Sequence, residues 1–453
     1  MGKLFGTDGI RGVVGENLTA DLAFRTGKAI AAVLKEEKGR KPVITIGKDT
    51  RISSDMLESA LIAGICSVGG DVMPFGVLPT PAVAYLTVLK GADAGIVISA
   101  SHNPYEHNGI KVFNEKGYKL PDATEAKIEE KILSGETIPV ATRGEIGVLH
   151  HGLKQSKLEY IHHLTTTIDS DLSGLRVLVD CANGAASATA PELFGRFKCY
   201  ADFIHREPNG TNINDRCGST HLESLGQRVV AGKYDVGVAF DGDADRCLAV
   251  DENGSVVNGD KILYVCARNM QTEGRFGNSK VVTTVMSNLG LYKALDAAGI
   301  GYEKTDVGDK YVAENMRANG HLIGGEQSGH IIFRKYAHTG DGLITALMLM
   351  QVMIDTQLPQ SVLAAGVTMY PQVLKNVRVD DKDGTLEDAA VQAAVDACTE
   401  DLGDSGRVLL RKSGTEPVLR VMAEAGTAEE CEKQVDRIIA AMEKSGHLIE
   451  VKK

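Results

Sequence analysis

Apolar β-branched runs and helix-like stretches alternate along this chain, and the alternation repeats three times. Val43-Ile44-Thr45-Ile46-Gly47 reads as a buried strand. A helix-like stretch over 54–68, an extended piece over 71–78, a second helix-like stretch over 81–89 and an apolar strand over 94–99 follow it. A second unit opens at 175–180, carries Phe203-Ile204 and the loop Pro208-Asn209-Gly210 in its middle, and closes at 235–240. A third opens at 280–285, carries 301–304 and Val307-Gly308-Asp309, and closes at 321–324. Strands alternating with helices predict βαβ units and a largely parallel or mixed sheet.

The last stretch breaks the pattern. Residues 407–411 and 418–423 read as two strands around Lys412-Ser413-Gly414-Thr415-Glu416-Pro417. A helix follows, opened by a capping box at Thr427 and Glu430, with Cys431, Val435, Ile438, Ile439 and Met442 on its apolar face. The expected fold is α/β: three tandem α/β domains of similar topology around a central cleft, plus a small C-terminal α+β domain. The boundaries read as 1–158, 159–255, 256–370 and 371–453.

Each repeat ends by running from an apolar strand into a polar, Gly-containing segment. Ligands of open α/β sheets bind outside the carboxyl ends of the strands, so the three segments are expected to face one cleft. The sharpest is Asp241-Gly242-Asp243-Ala244-Asp245. Carboxylates at alternate positions repel and raise one another's pKa, and a hard divalent cation with oxygen ligands relieves that. Glu252 stands at the twelfth position, as an EF-hand requires, but Arg246 occupies the sixth, where that loop needs Gly. Few protein ligands suit Mg²⁺, which shares its shell with phosphates. Ser99-Ala100-Ser101-His102-Asn103-Pro104 holds a Ser on a stiff turn, and it is no G-x-S-x-G elbow. Turn chemistry alone explains such a segment equally well. Gly324-Gly325-Glu326-Gln327-Ser328-Gly329-His330 offers directional hydrogen bonds suited to a polyol or amino sugar. Ser413-Gly414-Thr415, flanked by Arg411 and Arg420, reads as an anion nest with bidentate phosphate donors, or as a hairpin turn with two solvated arginines. The loop Gly6-Thr7-Asp8-Gly9-Ile10-Arg11-Gly12 is neither GxGxxG nor a Walker loop.

Composition narrows the classes. The 453 residues suit two to four domains at roughly 100–200 residues each. Lys plus Arg is 49 against 60 Asp plus Glu, a net charge of −11, so the chain lacks the basic field that nucleic acid or an anionic membrane needs. Positive charge for a phosphate substrate must then be local. Eight scattered cysteines form no CxxC pair or tight metal spacing and read as reduced cytosolic thiols. Met1-Gly2-Lys3-Leu4-Phe5-Gly6 has no apolar leader, and residues 343–354 fall short of the about 20 needed to span a bilayer. A cytoplasmic protein is expected.

Taken in order, the segments 6–12, 99–111, 241–246, 325–330 and 411–417 resemble the motifs of the α-D-phosphohexomutase family over essentially the whole chain. Gly325-Glu326-Gln327-Ser328-Gly329-His330 is similar to the glucosamine form, as is Ser413-Gly414-Thr415-Glu416-Pro417 with Val421-Met422-Ala423-Glu424-Ala425. The resemblance implies an isomerase interconverting glucosamine 6-phosphate and glucosamine 1-phosphate through a phosphoserine and a 1,6-bisphosphate, on the route to UDP-N-acetylglucosamine. It implies phosphoserine at Ser101, with Ser101, Asp241, Asp243 and Asp245 holding Mg²⁺. Glu326 and Ser328 would bind sugar hydroxyls. Arg411, Ser413, Gly414, Thr415 and Arg420 would grip the non-reacting phosphate. Arg11, Lys111, Arg246 and His330 would surround the transferring group, Lys111 or His330 moving the proton. It further implies glucosamine or glucose 1,6-bisphosphate as activator and a homodimer; the acidic balance leaves no nucleic-acid or membrane partner expected, and the small last domain, reached by a single crossing of the chain, is expected to act as a lid. His107, Lys310 and Lys412 depart from the family pattern, which usually has Asp, Arg and Pro there. A phosphomannomutase or phosphoglucomutase remains the near alternative, and a Mg²⁺-dependent sugar phosphatase using Ser101 the one from a different class.

Overall fold

The structure is a computed structural model that describes residues 4–6, 8–150, 153–413 and 418–452. Met1, Gly2 and Lys3 of the N-terminal segment, Thr7 of the first Gly-rich loop, and Gly414, Thr415, Glu416 and Pro417 of the last motif lie outside them. The described strands form four sheets. The chain divides into two compact units, residues 1–286 with 300–366, and residues 287–299 with 367–453.

In the first unit the three repeats share one sheet plan. The first sheet runs Phe5–Gly6, Gly9–Val13, His107–Asn114, Ala94–Ile98, Val43–Lys48, Asp71–Val77. The second runs Val256–Val257, Cys247–Asp251, Val236–Phe240, Arg176–Asp180, Tyr200–Ile204. The third runs Tyr302–Thr305, Val281–Thr284, Ile323–Gly325, Ile331–Phe333. In each, three strands are parallel and the next is antiparallel. The motif segment is always the turn from the last parallel strand into the antiparallel one. Helices Ser54–Ser67 and Thr80–Leu89 form where the pattern predicts. The central strands Ala94–Ile98 and Val236–Phe240 are buried at every position, which is why they read as unbroken apolar runs. Residues 343–354 lie in helix Gly342–Thr356, buried almost all round. Among the described residues no helix is long and apolar enough to cross a membrane.

The second unit is a four-stranded antiparallel sheet in the order Arg407–Lys412, Val418–Glu424, Gln372–Val379, Leu448–Lys452. Thr427 caps helix Ala428–Lys444 by accepting from the Glu430 N–H, and the five predicted apolar residues are all buried in its core. Strand Gln372–Val379 and helix Ala389–Leu402 were not legible in the pattern. The unit also takes in helix Leu289–Ala297, although that helix joins two strands of the third sheet. Fully buried Glu424 receives the Leu289 N–H at 2.9 Å, Asn288 Nδ2 at 3.3 Å and Arg407 Nε at 2.7 Å, and Arg407 also donates to Ser287 O.

Candidate active site

Ser101 leaves strand Ala94–Ile98 on a loop that is held rigidly. Its backbone sits in the left-handed region at φ 54°, uncommon for a residue with a Cβ and found mainly where surroundings enforce it. The enforcing groups are visible. Ser101 N–H donates to Ser99 Oγ at 2.9 Å, and Ser99 donates to Asp49 at 2.7 Å. Arg51, whose side chain is 0% exposed, pairs with equally buried Asp49 at 2.8 Å. Its guanidinium also donates to the carbonyls of Ser101, Asn103 and Pro104 at 2.9, 2.9 and 2.5 Å. Asn214 Nδ2, from the second repeat, donates to Ser101 O at 2.9 Å. Asp49 and Arg51 were not singled out as functional in the sequence. The signal was there: they sit in the polar stretch that ends strand Val43–Lys48, the same grammar as the other motifs.

This loop meets the acidic one. Ser101 Oγ donates to Asp241 Oδ2 at 2.5 Å. Asp241, Asp243 and Asp245 are buried, and each offers an oxygen within 4.8 Å of the others. Burial, then Asp245 and Asp243, push the Asp241 carboxyl well above its usual range. Lys111, buried at 2% exposure, reaches Asp243 at 2.9 Å, Asp245 at 3.3 Å and Asp8 at 3.2 Å. Burial disfavours its charge, but the three carboxylates overcome that and hold its pKa well above the ordinary lysine value. The same geometry pulls Asp245 down: burial opposes, while Lys111 and His330 prevail. Thr80 donates to Asp243 Oδ2 at 2.5 Å. Asp243 Oδ1 and Asp245 Oδ1 remain buried without a hydrogen-bond partner. A buried orphan acceptor costs free energy, and two on an all-oxygen donor set fit a hard divalent cation.

The third motif supplies the far wall. His330 Nδ1 lies 3.7 Å from Asp245, and Nε2 lies 3.6 Å from Asp309 and accepts the Gly340 N–H at 2.9 Å. Burial opposes protonation, but Asp245, Asp309 and Glu326 lift the pKa to about 9. The Gly340 N–H works the other way, because an accepting nitrogen carries no proton. The resting proton therefore belongs on Nδ1, facing Asp245. Burial, then Asp309, raise the Glu326 carboxyl. Ser328 Oγ is buried without a hydrogen-bond partner, which suits a ligand hydroxyl. Arg246 N–H donates to Asp241 at 3.2 Å, and its guanidinium lies 3.3 Å from His102. Burial, Arg246 and Arg11 lower His102 to about 4, so it stays neutral beside Ser101. Arg11 pairs with Asp8. Asp8 also holds Lys119 at 2.7 Å, and Lys119 reaches Asp309 at 2.8 Å, so a partly buried lysine joins the first repeat to the third. Asp8, Lys119, Asp309, Thr80, His102 and Asn214 were all missed in the sequence.

The structure thus brings together Ser101, Lys111, Asp241, Asp243, Asp245, Arg246, His330, Glu326 and Arg11. Arg411, Ser413 and Arg420 belong to the second unit, where Arg411 and Arg420 are direct cross-strand partners. Of the departures, Lys310 contacts Asp122 and the Leu120 carbonyl, Lys412 contacts Asp383, and His107 opens strand His107–Asn114.

The chain matches known families along nearly its whole length. Phosphoglucomutase/phosphomannomutase alpha/beta/alpha domains I, II and III match residues 2–138, 158–254 and 258–370, and the C-terminal domain of that group matches 374–441. A phosphoglucosamine mutase of Oceanobacillus iheyensis is 51% identical over 443 residues, covering 98% of this chain and 99% of its own. One of Moorella thermoacetica is 53% identical over 433 residues, covering 95% and 97%. Among solved structures, Aspergillus fumigatus N-acetylphosphoglucosamine mutase in complex with GlcNAc-6P and magnesium superposes with a TM-score of 0.67 at 18% identity, covering 98% of this chain and 96% of that one.

Proposed function

As the chain belongs to the phosphoglucosamine mutase family, within the wider phosphoglucomutase/phosphomannomutase group, we propose that it interconverts glucosamine 6-phosphate and glucosamine 1-phosphate through phosphoserine at Ser101. The observation that carries this reading is the Ser101 hydroxyl, fixed in a left-handed backbone and aimed at Asp241 beside two further buried carboxylates.

Phosphoryl transfer is mostly positioning and charge stabilisation. In the forward direction the C1 hydroxyl of glucosamine 6-phosphate attacks phosphorus on Ser101. The P–Oγ bond breaks as the new P–O bond forms, giving the 1,6-bisphosphate and free Ser101. After the bisphosphate turns over, Ser101 Oγ attacks the 6-phosphoryl group and glucosamine 1-phosphate leaves. Asp241, Asp243, Asp245 and an oxygen of the Ser101 phosphoryl group would hold Mg²⁺, which when bound supplies a Lewis acid that draws charge off that group. Lys111 is ringed by three carboxylates, so it serves as a fixed cation and not as a base. The proton from the attacking hydroxyl goes to His330 Nε2, which gives up the Gly340 N–H. Glu326 and Ser328 orient sugar hydroxyls. Arg11 and Arg246 take up charge on the transferring group. Arg411, Ser413, Gly414, Thr415 and Arg420 grip the other phosphate. Glucosamine or glucose 1,6-bisphosphate re-phosphorylates a Ser101 that has lost its phosphate, and the reaction belongs to the cytoplasm.

Ser101→Ala tests the reading. Turnover falls by roughly 10³-fold or more, in line with loss of a nucleophile, and intact mass no longer shows a bound phosphate. Undiminished turnover with bisphosphate present would falsify it. A sugar phosphatase predicts release of inorganic phosphate, whereas this reaction conserves it. Relative kcat/KM for the glucosamine, glucose and mannose phosphates decides between the mutases.

A further inference from the structure

A second group of metal-ligating side chains lies in the second repeat, outside the cluster around Ser101. Asp180 ends strand Arg176–Asp180, and His205 follows strand Tyr200–Ile204, its parallel neighbour, in which Ile204 is the register partner of Asp180. Cys217 comes from the loop after His205. Asp180 and Cys217 are each 1% exposed. A carboxylate oxygen, an imidazole nitrogen and the thiol sulfur of the three lie within 4.8 Å of one another. His205 Nδ1 is 3.0 Å from Asp180 Oδ2, yet it is a buried ring nitrogen without a properly aligned hydrogen-bond partner. Asp180 raises the His205 pKa, and a cation bound between the two would take the place of that proton. Asp180 is itself fixed, Oδ1 by the Ala182 N–H at 2.9 Å and Oδ2 by the Gly218 N–H at 3.0 Å. Such outer contacts orient a ligating carboxylate.

We propose that Asp180, His205 and Cys217 bind one borderline-soft divalent cation of the zinc type, as a brace behind the catalytic loops. One sulfur, one imidazole nitrogen and one carboxylate oxygen select Zn²⁺ or Co²⁺ over Mg²⁺, which avoids sulfur. Water takes the remaining position, on the partly exposed His205 side. Ligation converts the Cys217 thiol to thiolate and releases its proton to solvent. The bracing follows from what the ligand-bearing segments touch. Ala185 N–H donates to Gly242 O at 2.8 Å, and a Cβ on Gly184 would lie 2.3 Å from that oxygen, so the loop after Asp180 packs flush on the acidic loop. Asn214, three residues before Cys217, holds the Ser101 carbonyl. Fixing the three ligands therefore fixes the backing of both loops.

Cobalt titration of the full-length protein with Mg²⁺ saturating tests this. One equivalent of Co²⁺ is expected to give a thiolate-to-cobalt charge-transfer band, lost in Cys217→Ser. His205→Gln is expected to weaken cobalt binding about tenfold or more, the scale on which metal sites answer to a lost contact. Zn²⁺ should displace the cobalt and raise the melting temperature of the parent protein but of neither variant. A spectrum without a thiolate band, or a band that persists in Cys217→Ser because another cysteine supplies it, overturns the proposal. If Cys217→Ser does not fold, His205→Gln decides alone, and unchanged cobalt affinity there sinks it.

Discussion

The serine–aspartate floor of the first unit and the arginine hairpin of the second both place charge at the end of an apolar strand, and they treat it oppositely. In the floor the buried cations Lys111 and Arg51 meet their counter-charges directly. Lys111 has three carboxylates within 3.3 Å, and Arg51 has Asp49 and three carbonyls. In the hairpin Arg411 and Arg420 are opposite each other in register, two like charges across one strand pair. Like charges so placed destabilise a sheet. The floor pairs opposite charges, whereas the hairpin sets two like charges face to face, which is what the proposed phosphate grip asks of it. Under the proposed function, preorganisation of the first kind would serve the reacting centre and the second kind capture.

The largest expected effect breaks the floor. Arg51→Ala leaves Asp49 buried without its cation and frees three carbonyls of the Ser101 loop. Losing one partner of a buried pair costs about 3–5 kcal/mol, and misplacement of a reacting group by an ångström costs on the order of 10²-fold in rate. Denaturation should show the stability loss. Steady-state kinetics should show kcat falling with KM little changed, and Arg51→Lys should fail to restore it, because one ammonium cannot reach three carbonyls and a carboxylate. A variant with normal kcat and lowered stability would make Arg51 purely structural.

Next comes the hairpin. Arg411→Ala and Arg420→Ala should each raise KM for the sugar phosphate by about 10- to 100-fold, the worth of a charge-assisted hydrogen bond. The kcat should stay within a few-fold. Thermal stability should change little by comparison. A collapse of kcat without a KM change would move these arginines to the transferring group and erase the contrast.

The smallest effect sharpens the floor itself. Asp341 caps helix Gly342–Thr356 and accepts from the Ile344 N–H at 3.0 Å and the Tyr160 hydroxyl at 2.8 Å. Its hydrogen-bond partners are neutral, unlike those of Asp243. Burial lifts its pKa to about 6, with these donors pulling the other way. The folded protein thus holds this proton more tightly than the unfolded chain does. The stabilisation is complete below the ordinary carboxyl range and is lost as pH rises through about 6. Urea denaturation across that window should show parent stability declining through this group, with a flatter slope in Asp341→Asn.

Much of this was legible in the sequence because it is local. Strand periodicity and its polar termination gave three repeats with a motif at each close, and the capping box located helix Ala428–Lys444. Strand direction is not local, so nothing in residues 107–114 says that His107–Asn114 returns antiparallel. Lys111 reads as an ordinary strand lysine until three carboxylates converge on it. Those carboxylates hold its proton, which favours the proposed role of fixed cation over that of base. Arg51 is unremarkable until the fold brings Pro104 to it. Cysteine spacing excluded a contiguous metal motif, whereas Asp180, His205 and Cys217 meet only because neighbouring strands end together.

Residues 287–299 are thirteen residues drawn from the middle of the chain into the second unit, where Leu289 and Asn288 supply donors to buried Glu424. Modularity along the chain is therefore not modularity in space. A fragment cut at residue 371 would carry the whole antiparallel sheet yet leave Glu424 short of two donors, with Gln372 and Arg407 still to meet it. Recombination that exchanged this segment between relatives would have to exchange the helix at 289–297 with it, or inherit a mismatched seam. The C-terminal domain and that helix are accordingly expected to vary together, as one unit of inheritance written in two places.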